Sequence, residues 1–263
     1  MVMPTISAPN KIAATKGYGA EIVFSGSTAV EREAVAADVV AATGARLVPP
    51  YDHPDIILGQ GTMGLELQEQ VARMKAGGAA SDKCSFRARS AAIDSAPDTA
   101  GGPALNAILA PCGGGGMLAG VALSAEGTGT LVFGAEPSFE GADDAARGFA
   151  AGERVAAVSS LTIADGLRTP LGEHNWGVIY ERRLVRGIYA ASEDEIRAAL
   201  RLVLERFKMV VEPSAAVPLA VALYNEDFRR VVEQEGGAEG WDLGIVFSGG
   251  NVSVETIGKL FAA

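Results

Sequence analysis

Four consecutive glycines, Gly113, Gly114, Gly115 and Gly116, lie between two apolar segments and form what we call the tetraglycine loop. Residues 104–110 before the loop predict a buried strand, and residues 117–125 after it predict a helix. Because glycine has no Cβ atom, the loop can turn sharply and bring backbone N–H groups to one point, where the dipole of the helix adds positive potential. This arrangement favours an anion, and a phosphate group is its natural ligand.

Two kinds of nucleotide site use similar loops. A nucleoside triphosphate loop needs Lys and Ser or Thr directly after the glycines, and Met117 and Leu118 stand there instead, so we exclude it. The dinucleotide pattern G-x-G-x-x-A fits Gly114, Gly116 and Ala119, and Glu136 ends the next apolar strand, where a ribose-binding acid would lie. That pattern usually opens its domain, whereas residues 1–112 precede the loop here, so an NAD-dependent oxidoreductase stays an alternative only.

The composition limits the classes of protein that remain. The chain has 263 residues, 48% hydrophobic content and a formal net charge of −10, which predicts a globular protein and argues against a nucleic-acid partner. No apolar run is long enough to cross a bilayer and the first residues do not resemble a signal peptide, so we predict a cytoplasmic protein without a membrane partner. The two cysteines are too few for a disulfide framework, and the two histidines argue against a zinc site or a histidine-based triad.

The elements along the chain predict an α/β fold in two lobes. Residues 1–50 form a small lobe of alternating strands and helices, and residues 51–263 form a larger one. Strands are predicted at 1–3, 21–24, 46–48, 104–110, 130–135 and 243–247, and helices at 9–18, 30–42, 63–74, 117–125, 193–207, 215–224 and 227–236, with a short helix after the acidic loop 138–144. Residues 77–103 have no sustained period and predict an irregular insertion.

A second glycine turn follows the last predicted strand. Ser248, Gly249, Gly250 and Asn251 would place a hydroxyl and an amide beyond the end of that strand. Because ligands of open α/β sheets bind at the carboxyl ends of the strands, we expect both glycine turns to line one cleft.

Four motifs in this order resemble one known family. They are the tetraglycine loop with Met117, the run Thr162-Ile163-Ala164-Asp165-Gly166, the turn Glu212-Pro213-Ser214-Ala215, and Ser248-Gly249-Gly250-Asn251. Together they resemble the pyridoxal-phosphate enzymes of the tryptophan synthase β-subunit-like fold, specifically the serine racemase and threonine or serine dehydratase branch. The resemblance covers nearly the whole chain and implies a two-lobed α/β fold.

The resemblance also implies a cofactor site. Ser248 would face the pyridine nitrogen of the cofactor. A neutral hydroxyl there leaves the nitrogen unprotonated, so the ring withdraws electrons less strongly than it would opposite a carboxylate. Asn251 and Glu212 would line or support that end of the ring, and Gly166 would pass close to its face. The cofactor-binding residues implied in this way are Gly113, Gly114, Gly115, Gly116, Met117, Gly166, Glu212, Ser248 and Asn251.

A divalent cation is implied as well. Glu136, the carbonyl of Ala142 and Asp144 resemble the family's cation site, and all three supply the oxygen ligands that Mg²⁺ or Ca²⁺ prefers. The spacing between Glu136 and Asp144 is longer here than in the animal enzymes of the family.

The sequence departs from the family in one important respect. The family holds its cofactor as a Schiff base on a lysine in a Ser-Phe-Lys-x-Arg-Gly segment, and binds the substrate carboxylate with a Ser-x-Gly-Asn-His segment; neither is present in residues 1–263. The run Ser85-Phe86-Arg87-Ala88-Arg89 lies at the wrong place, and arginine cannot form the adduct. We therefore assign no catalytic residue and expect an N-terminally truncated fold, through a truncated gene, a fragment or a degenerate copy.

The function implied is a lyase or racemase of small hydroxy amino acids such as L-serine or L-threonine, with a homodimer as the complete form. Without the lysine, a non-catalytic pseudoenzyme or phosphate-ligand-binding protein is the alternative, and the NAD-dependent oxidoreductase is a third. Serine is not distinguished from threonine, nor racemase from dehydratase.

Overall fold

The computed structural model describes residues 1–76 and 102–262. The insertion predicted at 77–103 therefore lies, except for its last two residues, outside the described residues, as does the run 85–89. Within the described residues the chain forms two compact units, one of Met1–Pro50 with Gly250–Ala263 and the other of Tyr51–Gly249. The sequence-based division into 1–50 and 51–263 stays a prediction.

The elements alternate between strands and helices, as the α/β prediction requires. The strands are β1 (Val2–Pro4), β2 (Val23–Ser25), β3 (Ala107–Pro111), β4 (Leu131–Pro137), β5 (Gly187–Ala191) and β6 (Leu243–Ile245). The helices are α1 (Pro9–Gly17), α2 (Ala29–Thr43), α3 (Pro54–Lys75), α4 (Gly116–Ala125), α5 (Asp144–Ala151), α6 (Glu173–Trp176), α7 (Glu193–Leu202), α8 (Pro213–Tyr224), α9 (Glu226–Gly236) and α10 (Val254–Phe261). Among the described residues, none of these helices combines the length and the apolar character that crossing a membrane would require.

The first unit is built on a parallel pair of strands. β1 pairs with β2, with Met3 opposite Phe24. Helix α2 begins with a capping box, in which Thr28 accepts a hydrogen bond from the N–H of Glu31 while the Glu31 carboxylate accepts one from the N–H of Thr28. The strand predicted at 46–48 is wrong, because these residues pair with no strand in the part of the chain that the structure describes, and Leu47 and Val48 are exposed.

The second unit contains a parallel four-stranded sheet in the order β5-β4-β3-β6. Every residue of β3 is buried, as expected of a central parallel strand covered on both faces. β5 was not predicted, because it is a short edge strand of mixed burial without a clear apolar alternation. The helix predicted at 193–207 is α7 followed by a π-helical turn, Val203–Phe207.

Helix α3 begins nine residues before its predicted start. The sequence suggested a turn at Gly59 and Gly61, but both lie within the helix, which His53 caps by accepting a hydrogen bond from the N–H of Asp55. The reason is close helix packing, since a Cβ atom on Gly61 would lie 2.8 Å from the carbonyl oxygen of Gly120 in α4. Glycine here permits the contact between α3 and α4 and does not mark a turn.

The α3–α4 contact gives a prediction with an internal control. We expect Gly61→Ala to lower the free energy of unfolding by about 1–3 kcal/mol, because the new methyl group would press on the backbone of Gly120. Gly59→Ala lies on the same helix, where no described residue outside the adjacent helix backbone comes within 4 Å of the added Cβ, and it should raise stability by about 0.5–1 kcal/mol. Urea unfolding of both variants measures the difference, and equal effects would contradict this account of the helix contact.

Candidate cofactor site

The tetraglycine loop and the segment before Ser248 leave neighbouring strands at the same edge of the sheet. β3 pairs in parallel with β6, and beyond the paired residues the N–H of Val246 donates to the carbonyl of Leu109 over 3.1 Å. Because the two strands are parallel, Pro111 and Val246 both lead toward the carboxyl edge. This is the position at which ligands of open α/β sheets bind.

The backbone of the tetraglycine loop is closely packed on its protein side. A Cβ atom on Gly113 would lie 2.9 Å from Cα of Leu167, and one on Gly116 would lie 2.8 Å from the carbonyl oxygen of Tyr51. Cβ atoms on the other two glycines would overlap the Tyr51 ring and the Leu171 side chain. Glycine is therefore required throughout the loop.

The N–H groups of the loop are available for a ligand. Among the described residues, no acceptor receives a hydrogen bond from the amides of Gly113, Gly114, Gly115 or Gly116. Gly115 has a φ of 88°, which only glycine adopts readily, and α4 begins immediately after it. Met117 follows in the first turn of α4 and packs partly buried against the core. The loop and the helix start thus fit an anionic group such as a phosphate.

The segment from Thr162 to Gly166 is fixed by α7 and α8, and its last residue lies beside the loop, since a Cβ atom on Gly113 would lie 3.2 Å from the carbonyl oxygen of Gly166. Thr162 donates its hydroxyl to the Glu193 carboxylate over 2.6 Å, and the N–H of Ile163 donates to the same carboxylate over 3.1 Å. The N–H of Gly166 donates to the Ser214 hydroxyl over 3.0 Å. The structure therefore brings the segments of two predicted motifs next to Gly113.

Glu212 lies beside the second glycine turn. Its N–H donates to the carbonyl of Gly249 over 3.0 Å, and a Cβ atom on Gly249 would lie 2.9 Å from its carboxylate oxygen. Glu212 therefore lies against the residue that follows Ser248. Asn251 belongs to the other unit, where it accepts a hydrogen bond from the amide of Asn10 over 3.3 Å. The grouping of Asn251 with Ser248 stays a prediction.

Two of the predicted cation ligands are buried carboxylates. Glu136, at the end of β4, has no exposed surface and accepts hydrogen bonds from the N–H groups of Ala145 and Ala146 over 3.2 and 2.8 Å. Asp144 is 1% exposed and accepts one hydrogen bond through Oδ2 from the N–H of Leu171. Its Oδ1 has no hydrogen-bond partner among the described residues. Because Glu136 has no exposed surface and lies beneath the first residues of α5, a ribose hydroxyl of the dinucleotide alternative does not reach it, whereas each of its oxygens keeps a lone pair for a buried cation.

The pKa of each buried acid is raised, in both cases mainly by burial. Burial raises the pKa of Glu136 well above its usual range, and the charge of Asp144 raises it further. Burial also raises the pKa of Asp144, to about 6. The pKa of the buried Cys112 thiol rises through burial and then through the charges of Glu136 and Asp144. Ionising both acids would place two negative charges side by side inside the protein, and a cation bound between them would balance that charge. Among residues 1–76 and 102–262, however, no three His, Cys, Asp or Glu side chains form a metal-binding group.

Sequence reasoning missed the residues that support the loop from behind. The amide of Asn175 donates to the carbonyl of Gly114 over 2.6 Å, and Asp52 accepts hydrogen bonds from the N–H groups of Glu173 and Asn175 over 2.9 and 3.2 Å. These contacts join residues 61 to 123 positions apart in the chain. No periodicity or local motif could have indicated them.

Comparison with known proteins agrees with this geometry. The chain is 34% identical over 265 residues to the L-threo-3-hydroxyaspartate ammonia-lyase of Saccharomyces cerevisiae, covering 100% of this chain and 68% of that protein. It is 35% identical over 256 residues to a serine racemase of Oryza sativa subsp. indica, covering 97% of this chain and 64% of that protein. The chain thus spans about two thirds of the length of these relatives.

The fold prediction is confirmed by a solved structure. Maize serine racemase matches with a TM-score of 0.78 and 33% identity over 98% of this chain and 67% of that one. A family model described as "Pyridoxal-phosphate dependent enzyme" matches residues 1–82 and 86–238. With a tetraglycine loop whose backbone can hold a phosphate and relatives of this kind over its full length, the chain belongs to the family of pyridoxal-phosphate dependent enzymes.

Proposed function

We propose that this chain forms the phosphate-binding part of a pyridoxal-phosphate dependent ammonia-lyase or racemase of small hydroxy amino acids, with L-serine and L-threonine as candidate substrates. The observation that carries the proposal is the tetraglycine loop, whose four N–H groups have no acceptor among the described residues. The names of the yeast and rice relatives support a substrate of this class.

Each cofactor-binding residue has a defined task in this proposal. The amides of the tetraglycine loop and Met117 hold the phosphate, and Ser248 offers its hydroxyl to the ring nitrogen. From the family resemblance, Glu212 and Asn251 would line or support that end of the ring, and Gly166 would pass close to its face. When bound, pyridoxal phosphate supplies the electron sink that makes loss of the substrate α-proton feasible. The protein supplies orientation and a neutral partner for the ring nitrogen.

The lysine that removes the α-proton in the family has no match in residues 1–263. None of the lysines in residues 1–263 follows a Ser-Phe pair; they are Lys11, Lys16, Lys75, Lys83, Lys208 and Lys259. We propose that these residues alone bind the cofactor without turning substrate over. This is also the observation that favours the second candidate, a non-catalytic phosphate-ligand-binding protein. A homodimer and a cytoplasmic location belong to the same proposal, the first from the family resemblance and the second from the composition.

The second proposed site binds Mg²⁺ or Ca²⁺ through Glu136, the carbonyl of Ala142 and Asp144. The support is the buried Oδ1 of Asp144, which lacks a partner among the described residues, beside a second buried carboxylate. A cation would complete the oxygen's coordination and balance the charge of both acids.

The catalytic part of the proposal is tested by adding the missing segment. We expect residues 1–263 to release no ammonia from L-serine or L-threonine, and a chain extended upstream with a Ser-Phe-Lys-x-Arg-Gly segment to release it and to absorb in the visible when loaded with cofactor. The matched control is the extended chain with that lysine changed to alanine, which should lose both signals. Turnover by residues 1–263 alone would show that another group acts as the base.

The cation site predicts a ligand-dependent and pH-dependent stability. Excess Mg²⁺ or Ca²⁺ should raise the melting temperature at pH 7.5, since saturation at a hundredfold excess over Kd stabilises a fold by about 2.7 kcal/mol. With the cation removed by a chelator, the free energy of unfolding should fall as the pH rises from about 4 to 6. In the folded chain the pKa of Asp144 is raised to about 6, whereas in the unfolded chain it has its ordinary value of about 4, so over this range ionisation of Asp144 favours the unfolded chain.

The variants Asp144→Asn and Asp143→Asn distinguish loss of a proposed cation ligand from loss of a neighbouring carboxylate that is not a ligand. Asp144→Asn should abolish the cation response and reduce the fall in stability between about pH 4 and 6, while the part of the pH dependence that comes from buried Glu136 remains. Asp143→Asn, one residue earlier, loses a partly exposed ion pair with Arg147 and a charge that contributes little to the raised pKa of the two buried acids, so it should keep the cation response and most of the pH dependence. A melting temperature unaffected by either cation or by chelator would remove the metal from the proposal.

A further inference from the structure

The carbonyl of Gly114 is the most firmly held group of the tetraglycine loop. It accepts a hydrogen bond from the side-chain amide of Asn175 over 2.6 Å and another from the N–H of Gly172 over 3.1 Å. A carbonyl oxygen has two lone pairs, so these two donors saturate it. Both donors come from α6 and the residue that precedes it.

Holding this carbonyl determines the direction of the next amide. The peptide bond is planar and trans, so the C=O of Gly114 and the N–H of Gly115 point in opposite directions. Glycine has a wide choice of backbone angles, and Gly115 adopts a φ of 88° that is one of several available to it. Without an external hold, this peptide plane could rotate. With the carbonyl turned toward α6, the N–H of Gly115 is turned away from it.

The donor is itself fixed in place. Asp52 accepts hydrogen bonds from the backbone N–H groups of Glu173 and Asn175 over 2.9 and 3.2 Å, and this anchors the short helix. The ring of Tyr51, the preceding residue, packs against Gly114. We call Tyr51, Asp52, Gly172 and Asn175 the loop clamp.

Packing alone does not account for an asparagine at position 175. The side chain has no exposed surface, and its Oδ1 has no hydrogen-bond partner among the described residues. A buried polar atom without a partner destabilises a fold, and an apolar residue of the same size would avoid that cost. The side-chain amide donates to the carbonyl of Gly114 over 2.6 Å and, at a longer 3.4 Å, to the carbonyl of Tyr51 in the same clamp, and an apolar residue could make neither contact.

We propose that Asn175 is a positioning residue that, with Asp52, holds the Gly114 carbonyl so that the Gly115 N–H is aligned for the cofactor phosphate. This inference rests on the proposed phosphate site and adds the group that orients it. Asn175 acts through the backbone and touches neither the cofactor nor the substrate. Its effect must therefore appear as a loss of phosphate recognition specifically.

The test compares the affinity of residues 1–263 for pyridoxal phosphate with that for pyridoxal, which lacks the phosphate, by equilibrium dialysis. We expect Asn175→Leu to lower the ratio of the two affinities about tenfold, because one hydrogen bond that orients the phosphate site is lost. Affinity for pyridoxal should change little. The control Thr130→Val removes another buried hydrogen bond, from the Thr130 hydroxyl to the carbonyl of Leu105 over 3.0 Å, before the first residue of β4. It should leave the ratio unchanged.

A second variant, Asp52→Ala, allows the proposal to be tested even if Asn175→Leu does not fold. Asp52 is only partly buried, and Asp52→Ala should lower the same ratio by a smaller factor because it loosens α6. An unchanged ratio in Asn175→Leu, or in Asp52→Ala if Asn175→Leu does not fold, would overturn the positioning role while leaving the phosphate site intact. A wild-type chain that does not prefer pyridoxal phosphate to pyridoxal would overturn the phosphate site and this inference together.

Discussion

The structure depends on one constraint, that the chain must pass from β3 to α4 with no side chain between Cys112 and Met117. Cβ atoms added to the four glycines would overlap neighbouring protein atoms, which belong to Leu167, Tyr51 and Leu171. What remains for a ligand is backbone N–H groups at the start of a helix, which together form a site of positive potential. The neighbouring segments pack against the loop, and α6 with Gly172 fixes the carbonyl of Gly114 by hydrogen bonds.

The same loop borders the buried acids. Cys112 lies one residue before the first glycine, and its pKa is raised in part by the charges of Glu136 and Asp144. Asp144 also accepts a hydrogen bond from Leu171, whose side chain packs against Gly115. Leu171 thus contacts Asp144 through its backbone and the tetraglycine loop through its side chain.

The parts of the structure that the sequence predicted are those with local causes. The glycine run between β3 and α4 was found because a strand, a loop without side chains and a helix each leave a pattern within a few residues. The start of α3 was predicted wrongly, because Gly61 meets α4 and does not form a turn, and that reason lies 59 positions away at Gly120. Asn175 carried no signal, since its partner Gly114 is 61 residues distant. The roles of Gly61 and Asn175 depend on contacts between residues far apart in the chain, and such contacts leave no local pattern in a single sequence.

The central claim is that the tetraglycine amides bind the cofactor phosphate, and nuclear magnetic resonance of the glycine-labelled chain tests it most directly. Pyridoxal phosphate and inorganic phosphate should both move the amide proton signals of Gly113, Gly114, Gly115 and Gly116 downfield, because hydrogen bonds to an anion deshield the protons they use, and pyridoxal without its phosphate should leave those signals in place. Signals that do not respond to either phosphate, while other glycines do, would contradict the account.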